Sequence, residues 1–149
     1  AGTGDVNGDG KADIIWRHNN TGTVAVWLMN GLSITSVGFP GSTSTDWQIA
    51  GVGDVNGDGK ADLVWRHMSS GEVAIWLMNG ATIASSGFLG GVSLAWEIAG
   101  TGDVNGDGKA DIIWRNGNTG TVAVWLMNGL SITSVGFPAS TPTEWRIQD

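Results

Sequence analysis

The sequence has no cysteine, no tyrosine and little charge. Only 14% of its 149 residues are Asp, Glu, Lys or Arg, against roughly 25% in an average soluble domain. Without cysteine, neither disulfides nor thiolate metal sites hold the chain together. No apolar run approaches the roughly 18 residues a spanning helix needs; the longest, residues 24–29 and their repeats, is far shorter, so no membrane insertion is expected. No basic and then apolar leader opens the sequence, which begins on Ala1 rather than Met, as expected of a processed or excised chain. The scarcity of charge is not that of a disordered segment, because Trp, Val, Ile and Leu recur at regular places. Glycine and tryptophan are plentiful, with 25 and nine residues.

The string Asp-Val-Asn-Gly-Asp-Gly-Lys-Ala-Asp begins at Asp5, Asp54 and Asp103, a period of 49 residues. Periods of this size belong to solenoids, propellers and arrays rather than to single-core enzymes. From Asp5 and from Asp103, 39 of 45 aligned positions are identical, the differences lying at 18, 19, 41, 44, 46 and 48. A site built from one copy should therefore recur, and binding should be multivalent.

The net charge of −7 comes from these strings. Nine of the 14 acidic residues lie in them: Asp5, Asp9, Asp13, Asp54, Asp58, Asp62, Asp103, Asp107 and Asp111. Three carboxylates within nine residues repel one another unless a cation sits between them. The pattern D-x-N-x-D-G-x-x-D supplies oxygen ligands only, as a hard cation such as calcium requires. Asp5, Asn7, Asp9 and Asp13, with the Lys11 carbonyl, form the first candidate set. Asp54, Asn56, Asp58, Lys60 and Asp62 form the second, and Asp103, Asn105, Asp107, Lys109 and Asp111 the third. About three Ca2+ per chain are expected, in loops 5–13, 54–62 and 103–111. The EF-hand glutamate at the twelfth position is replaced by Trp16, and a β-prone run, Ile14-Ile15-Trp16, follows the loop instead of a helix. A metal-free Asn/Asp/Gly turn is the competing reading. The Lys and Arg residues are dispersed, with no basic stripe for nucleic acid.

One uninterrupted copy predicts four strands, at 47–53, 63–67, 73–78 and about 82–88. They are separated by the loop at Asp54, a turn at Ser69-Ser70-Gly71, and the hairpin signal Asn79-Gly80. The third strand is apolar on both faces, as in a sheet sandwiched between neighbours. The expected fold is all-β: a β-propeller of four-stranded antiparallel blades, three tandem blades of 49 residues across 1–149.

With the nine-residue loop, the Trp-Arg pair that follows it and the segment Ala-Val-Trp-Leu-Met-Asn-Gly, the chain resembles the FG-GAP/VCBS repeats of integrin-type β-propellers over essentially its whole length. The resemblance implies calcium in the loops, a secreted or cell-surface and often bacterial setting, and a non-catalytic module. Some members of that family are lectins, including fungal seven-bladed ones.

Three blades do not close a propeller, which takes about four to eight. The residues of a first-blade strand are split between 1–5 and 144–147, so two chains would make a six-bladed homodimer. The alternative is a piece of a longer or engineered propeller. Trp47, Trp96 and Trp145 are candidates for stacking on sugar rings, because indole is rigid and amphipathic; core packing is the alternative, and it weighs more heavily for Trp16, Trp27 and their repeats. Arg17, Arg66 and Arg115 either bond loop carboxylates or strand carbonyls or serve a ligand. His18 and His67 align with Asn116, which suits a surface or sugar-contacting hydrogen bond rather than catalysis. No nucleophile with a base and no free carboxylate pair is apparent, so no enzyme is expected. The function read from the sequence is recognition, with glycans as the ligand class and a structural or protein-binding propeller as the rival.

Overall fold

A computed structural model of the chain describes residues 2–148; Ala1, expected in the split strand, and Asp149 lie outside the described residues. The described residues form three four-stranded antiparallel sheets. Blade 1 contains β1 (Gly2–Gly4), β2 (Asp13–Arg17), β3 (Thr23–Asn30) and β4 (Ser33–Ser42). Blade 2 contains β5 (Trp47–Gly53), β6 (Asp62–His67), β7 (Glu72–Asn79) and β8 (Thr82–Gly91). Blade 3 contains β9 (Trp96–Gly102), β10 (Asp111–Asn116), β11 (Thr121–Asn128) and β12 (Ser131–Ser140). Each sheet is ordered first to fourth strand, and the first strands β1, β5 and β9 lie against one another along the inner edge of the array. This is the expected all-β propeller architecture, three blades in a row.

The strands run slightly beyond the ends predicted from sequence. The last aspartate of each nine-residue string already belongs to the second strand, since Asp62 pairs with Gly53. The hairpin after β7 closes on Asn79↔Thr82, leaving Gly80 at the first central position with φ 62°, the place a type II′ turn reserves for glycine.

Two apolar clusters fill the spaces between blades. One holds Val6, Ile15, Val24 and Val26 of blade 1 against Leu63, Trp65 and Met78 of blade 2; the other joins blades 2 and 3 in the same way. Blade 2 meets a neighbour on either side, which is why its third strand is apolar on both faces. Inner strands carry glycine where they converge: a Cβ on Gly51 of β5 would stand 2.6 Å from the Thr101 methyl of β9. No described helix is long and apolar enough to cross a membrane.

Candidate functional site

Each acidic loop is folded around its first aspartate. The Asp5 carboxylate accepts the N–H groups of Gly8 at 2.7 Å, Asp9 at 3.1 Å and Gly10 at 2.7 Å. Asn7 accepts from Asp9 N–H at 3.0 Å, and Asp9 from Lys11 N–H at 2.9 Å. Gly8 and Gly10, at φ 78° and 84°, make the left-handed bends that let the backbone wrap this way. Asp54 and Asp103 organise the other two loops through the same donors. These bonds, Gly108 N–H foremost, hold the Asp103 carboxyl below the usual carboxylate range.

Asp13, Asp62 and Asp111 are fully buried and do something the sequence reading did not anticipate. Asp62 accepts from Val55 N–H at 3.0 Å and from Met78 N–H at 2.9 Å, clasping the start of the loop to the third strand. Asp13 joins Val6 to Met29, and Asp111 joins Val104 to Met127. The available signal was an aspartate placed directly before an apolar β-run, where it enters the ladder. Burial pushes the Asp62 carboxyl up to about 6, with Asp58 and Asp54 adding repulsion against the lowering bonds from Met78 and Val55.

A hard cation fits the chemistry of these donors, which are all oxygen. Carboxylate and amide oxygens that accept one N–H retain further lone pairs for a metal. Among the described residues no three His, Asp or Glu side chains converge closely enough to hold an ion alone. A site would therefore draw on the Asn7 amide and the Lys11 carbonyl beside the Asp5, Asp9 and Asp13 carboxylates, and likewise in the repeats. Lys11 Nζ stands 3.7 Å from Asp9 Oδ2. The loops also join blades: Ala61 N–H donates to Asp5 O at 2.6 Å, and Ala110 N–H to Asp54 O at 2.6 Å.

The arginines bond main-chain carbonyls, with no loop carboxylate among their acceptors in the described residues. Arg66 donates to Val92 O, Ser93 O and Trp96 O at 2.9–3.0 Å and to Gly71 O. Arg17 and Arg115 hold the equivalent turn and connector. Burial pulls Arg17 and Arg66 below the ordinary guanidinium range. The histidines cap turns: His67 Nδ1 accepts from Ser69 N–H at 3.2 Å and Ser70 N–H at 3.0 Å. His18 does the same for Asn20 and Thr21, and Asn116 Oδ1 for Asn118 and Thr119. That shared acceptor explains why His and Asn interchange.

Trp47 and Trp96 are half-buried, with Trp47 packed edge-on to His67 and tilted against Phe88, and Trp96 against Phe137. Trp145 is 70% exposed. A groove of about 310 Å³ beside the inner edge of blade 1 is lined by Arg17, His18, Trp47 and Gln48. Its counterpart on blade 3, about 380 Å³, is lined by Arg115, Asn116, Trp145 and Arg146, with Glu97 and Ile98 as an additional wall. Thus the structure brings the candidate Arg, His or Asn, and Trp together twice, while the acidic loops form separate sites.

A family model described as FG-GAP-like repeat matches residues 5–65 and 54–114, two overlapping stretches that span more than half of the chain. No curated protein and no solved structure gave a match.

Proposed function

The chain belongs to the FG-GAP-like repeat family, and on that footing we propose that it is a calcium-stapled β-propeller module for recognition of carbohydrate. Propellers of this family are generally non-catalytic, and the module's own acidic residues are engaged in loop folding. Each ion would be held by one loop's Asp, Asn and backbone oxygens, its chemistry being charge neutralisation of clustered carboxylates. Loops lacking the bidentate glutamate suit the weak sites of extracellular modules, with dissociation constants of about 10⁻⁴–10⁻³ M. The setting proposed is accordingly secreted or cell-surface, in a bacterium.

The observation that carries the recognition reading is the repeated groove: Arg17 and His18 at the end of β2 with Trp47 of blade 2, and Arg115 and Asn116 of blade 3 with Trp145 beyond it. An indole beside a few polar groups in a shallow cleft is a chemistry that suits sugars. A glycan array in calcium tests it, with related sugars binding to repeated sites as the expected outcome. A blank array from folded, calcium-loaded protein would reject the carbohydrate ligand. The remaining reading would then be a structural or protein-binding propeller, favoured by the engagement of the arginines and histidines in main-chain hydrogen bonds.

A further inference from the structure

The first two acidic loops are each seated on the blade that follows. Ala61 N–H donates to Asp5 O at 2.6 Å and Gly80 N–H to Val6 O at 2.7 Å, so the second loop and the hairpin between β7 and β8 both hold the backbone of the first loop. Ala110 N–H and Gly129 N–H repeat the pair on Asp54 O and Val55 O, at 2.6 and 2.7 Å. The lysine stems follow the same path. A Cβ on Gly8 would stand 3.3 Å from Lys60 Cγ, and one on Gly57 3.2 Å from Lys109 Cγ; glycine at these places lets the following loop lie across the preceding one.

One peptide group serves two loops. The Lys60 carbonyl is one of the candidate oxygens of the second loop, whereas the N–H of the same peptide, carried by Ala61, is bonded to Asp5 of the first. Asp5 is also the residue whose carboxylate organises its own loop through Gly8, Asp9 and Gly10. A trans peptide is planar, with its C=O and N–H pointing in opposite directions, and the described residues contain no cis bond. Fixing the carbonyl for the second loop therefore fixes the direction of the N–H that the first loop accepts, and the reverse. Polarisation acts in the same sense, since a carbonyl engaged by a positive charge makes its own N–H a stronger donor. The peptide between Lys109 and Ala110 stands in the same relation to the third and second loops.

We propose that these shared peptides make calcium binding cooperative along the array: filling one loop raises the affinity of the loops joined to it. The inference rests on calcium occupying the loops, as proposed above, and goes beyond that reading by assigning the coupling to the peptides Lys60-Ala61 and Lys109-Ala110. Ordering one loop lowers the ordering cost that its neighbour must meet. Coupling free energy is reciprocal, so the second loop, joined to both of the others, acts on both. Charge works in the opposite sense. Two dications in adjacent loops repel, and electrostatics alone would make each further ion bind less tightly. Positive coupling adds to the stabilisation that three independent sites give by mass action.

Asp58 offers a way to weaken the second loop without unseating it. Its side chain is exposed and accepts from Lys60 N–H at 2.8 Å, a bond that the amide oxygen of Asp58→Asn can keep while the loop loses one carboxylate. The bond from Ala61 to Asp5 involves neither group.

A calcium titration of the full chain followed by heteronuclear NMR reads each loop through its own glycine amide, Gly10, Gly59 or Gly108. It is done in about 0.15 M salt, which screens the charge lost in the variant. In the unmodified chain all three amides should shift together, with a Hill coefficient above one. In Asp58→Asn the midpoints of Gly10 and Gly108 should rise along with that of Gly59, by about fivefold or more, the lower end of ordinary coupling between sites. A coefficient of one or less, or a smaller rise at either neighbour, overturns the coupling and leaves calcium binding standing. Amides that do not respond to millimolar calcium overturn the calcium reading and the coupling with it. If Asp58→Asn does not fold, the coefficient of the unmodified chain decides the matter.

Discussion

Asp62 has two attachments and one conflict. Its carboxylate satisfies two buried N–H groups, but burial and the neighbouring Asp58 and Asp54 favour its protonated form, with a carboxyl pushed up to about 6. A carboxyl raised on folding contributes most below its unfolded value near 4 and loses that contribution as pH rises through the folded value. In chelator, the melting temperature should therefore fall between about pH 4 and pH 6, and Asp62→Asn should flatten that part of the profile. Calcium binds the ionised form and should oppose the fall. A flat profile for the unsubstituted, calcium-free chain counts against the conflict. The sequence marked Asp62 as a ligand through its spacing from Asp54; its burial was not legible, because the strand covering it begins ten residues later, at Glu72.

Turns and connectors are governed by acceptors brought from a distance. His67→Asn should change stability by no more than about 0.5 kcal/mol, since Asn116 makes the equivalent pair of bonds at 2.9 and 3.1 Å. His67→Ala leaves two turn N–H groups without that acceptor and should cost about 1 kcal/mol by urea unfolding. Arg66 is a stronger test. It ties the turn at Gly71 to the connector at Val92, Ser93 and Trp96 and covers Trp114. Arg66→Met keeps much of the volume but strands those carbonyls, and an expected loss of about 2–4 kcal/mol should appear as a lower urea midpoint. The hairpins, Gly-containing turns and apolar third strands were legible in the sequence because their causes lie within a few residues. The arginine's acceptors were not, since three of them come 26 to 30 residues later.

Across the whole molecule, the loops couple blade to blade, so calcium should stabilise the array rather than one hairpin. With free ion at ten times its dissociation constant, three independent sites add about 4 kcal/mol by mass action. Calorimetry with and without chelator should resolve that as a melting-temperature difference of several degrees; equal temperatures at saturating calcium would remove the metal from the account. The loops carry this expectation because Asp5 O and Asp54 O accept bonds from the following blade at Ala61 and Ala110. A loosened loop therefore loosens a junction.

Period, turn positions, strand order and the oxygen-rich loops were determined by the sequence itself, because each follows from local spacing of Gly, Asp and apolar residues. What a given copy does with those residues was decided only by tertiary structure. Blades 1 and 3 are nearly the same string, yet Trp114 is sealed at 1% exposure and Trp16 stands open at 44%. Local sequence sets a side chain's direction, but burial belongs to whatever packs against it, and Trp114 is covered by Arg66 and the core residues of blade 2.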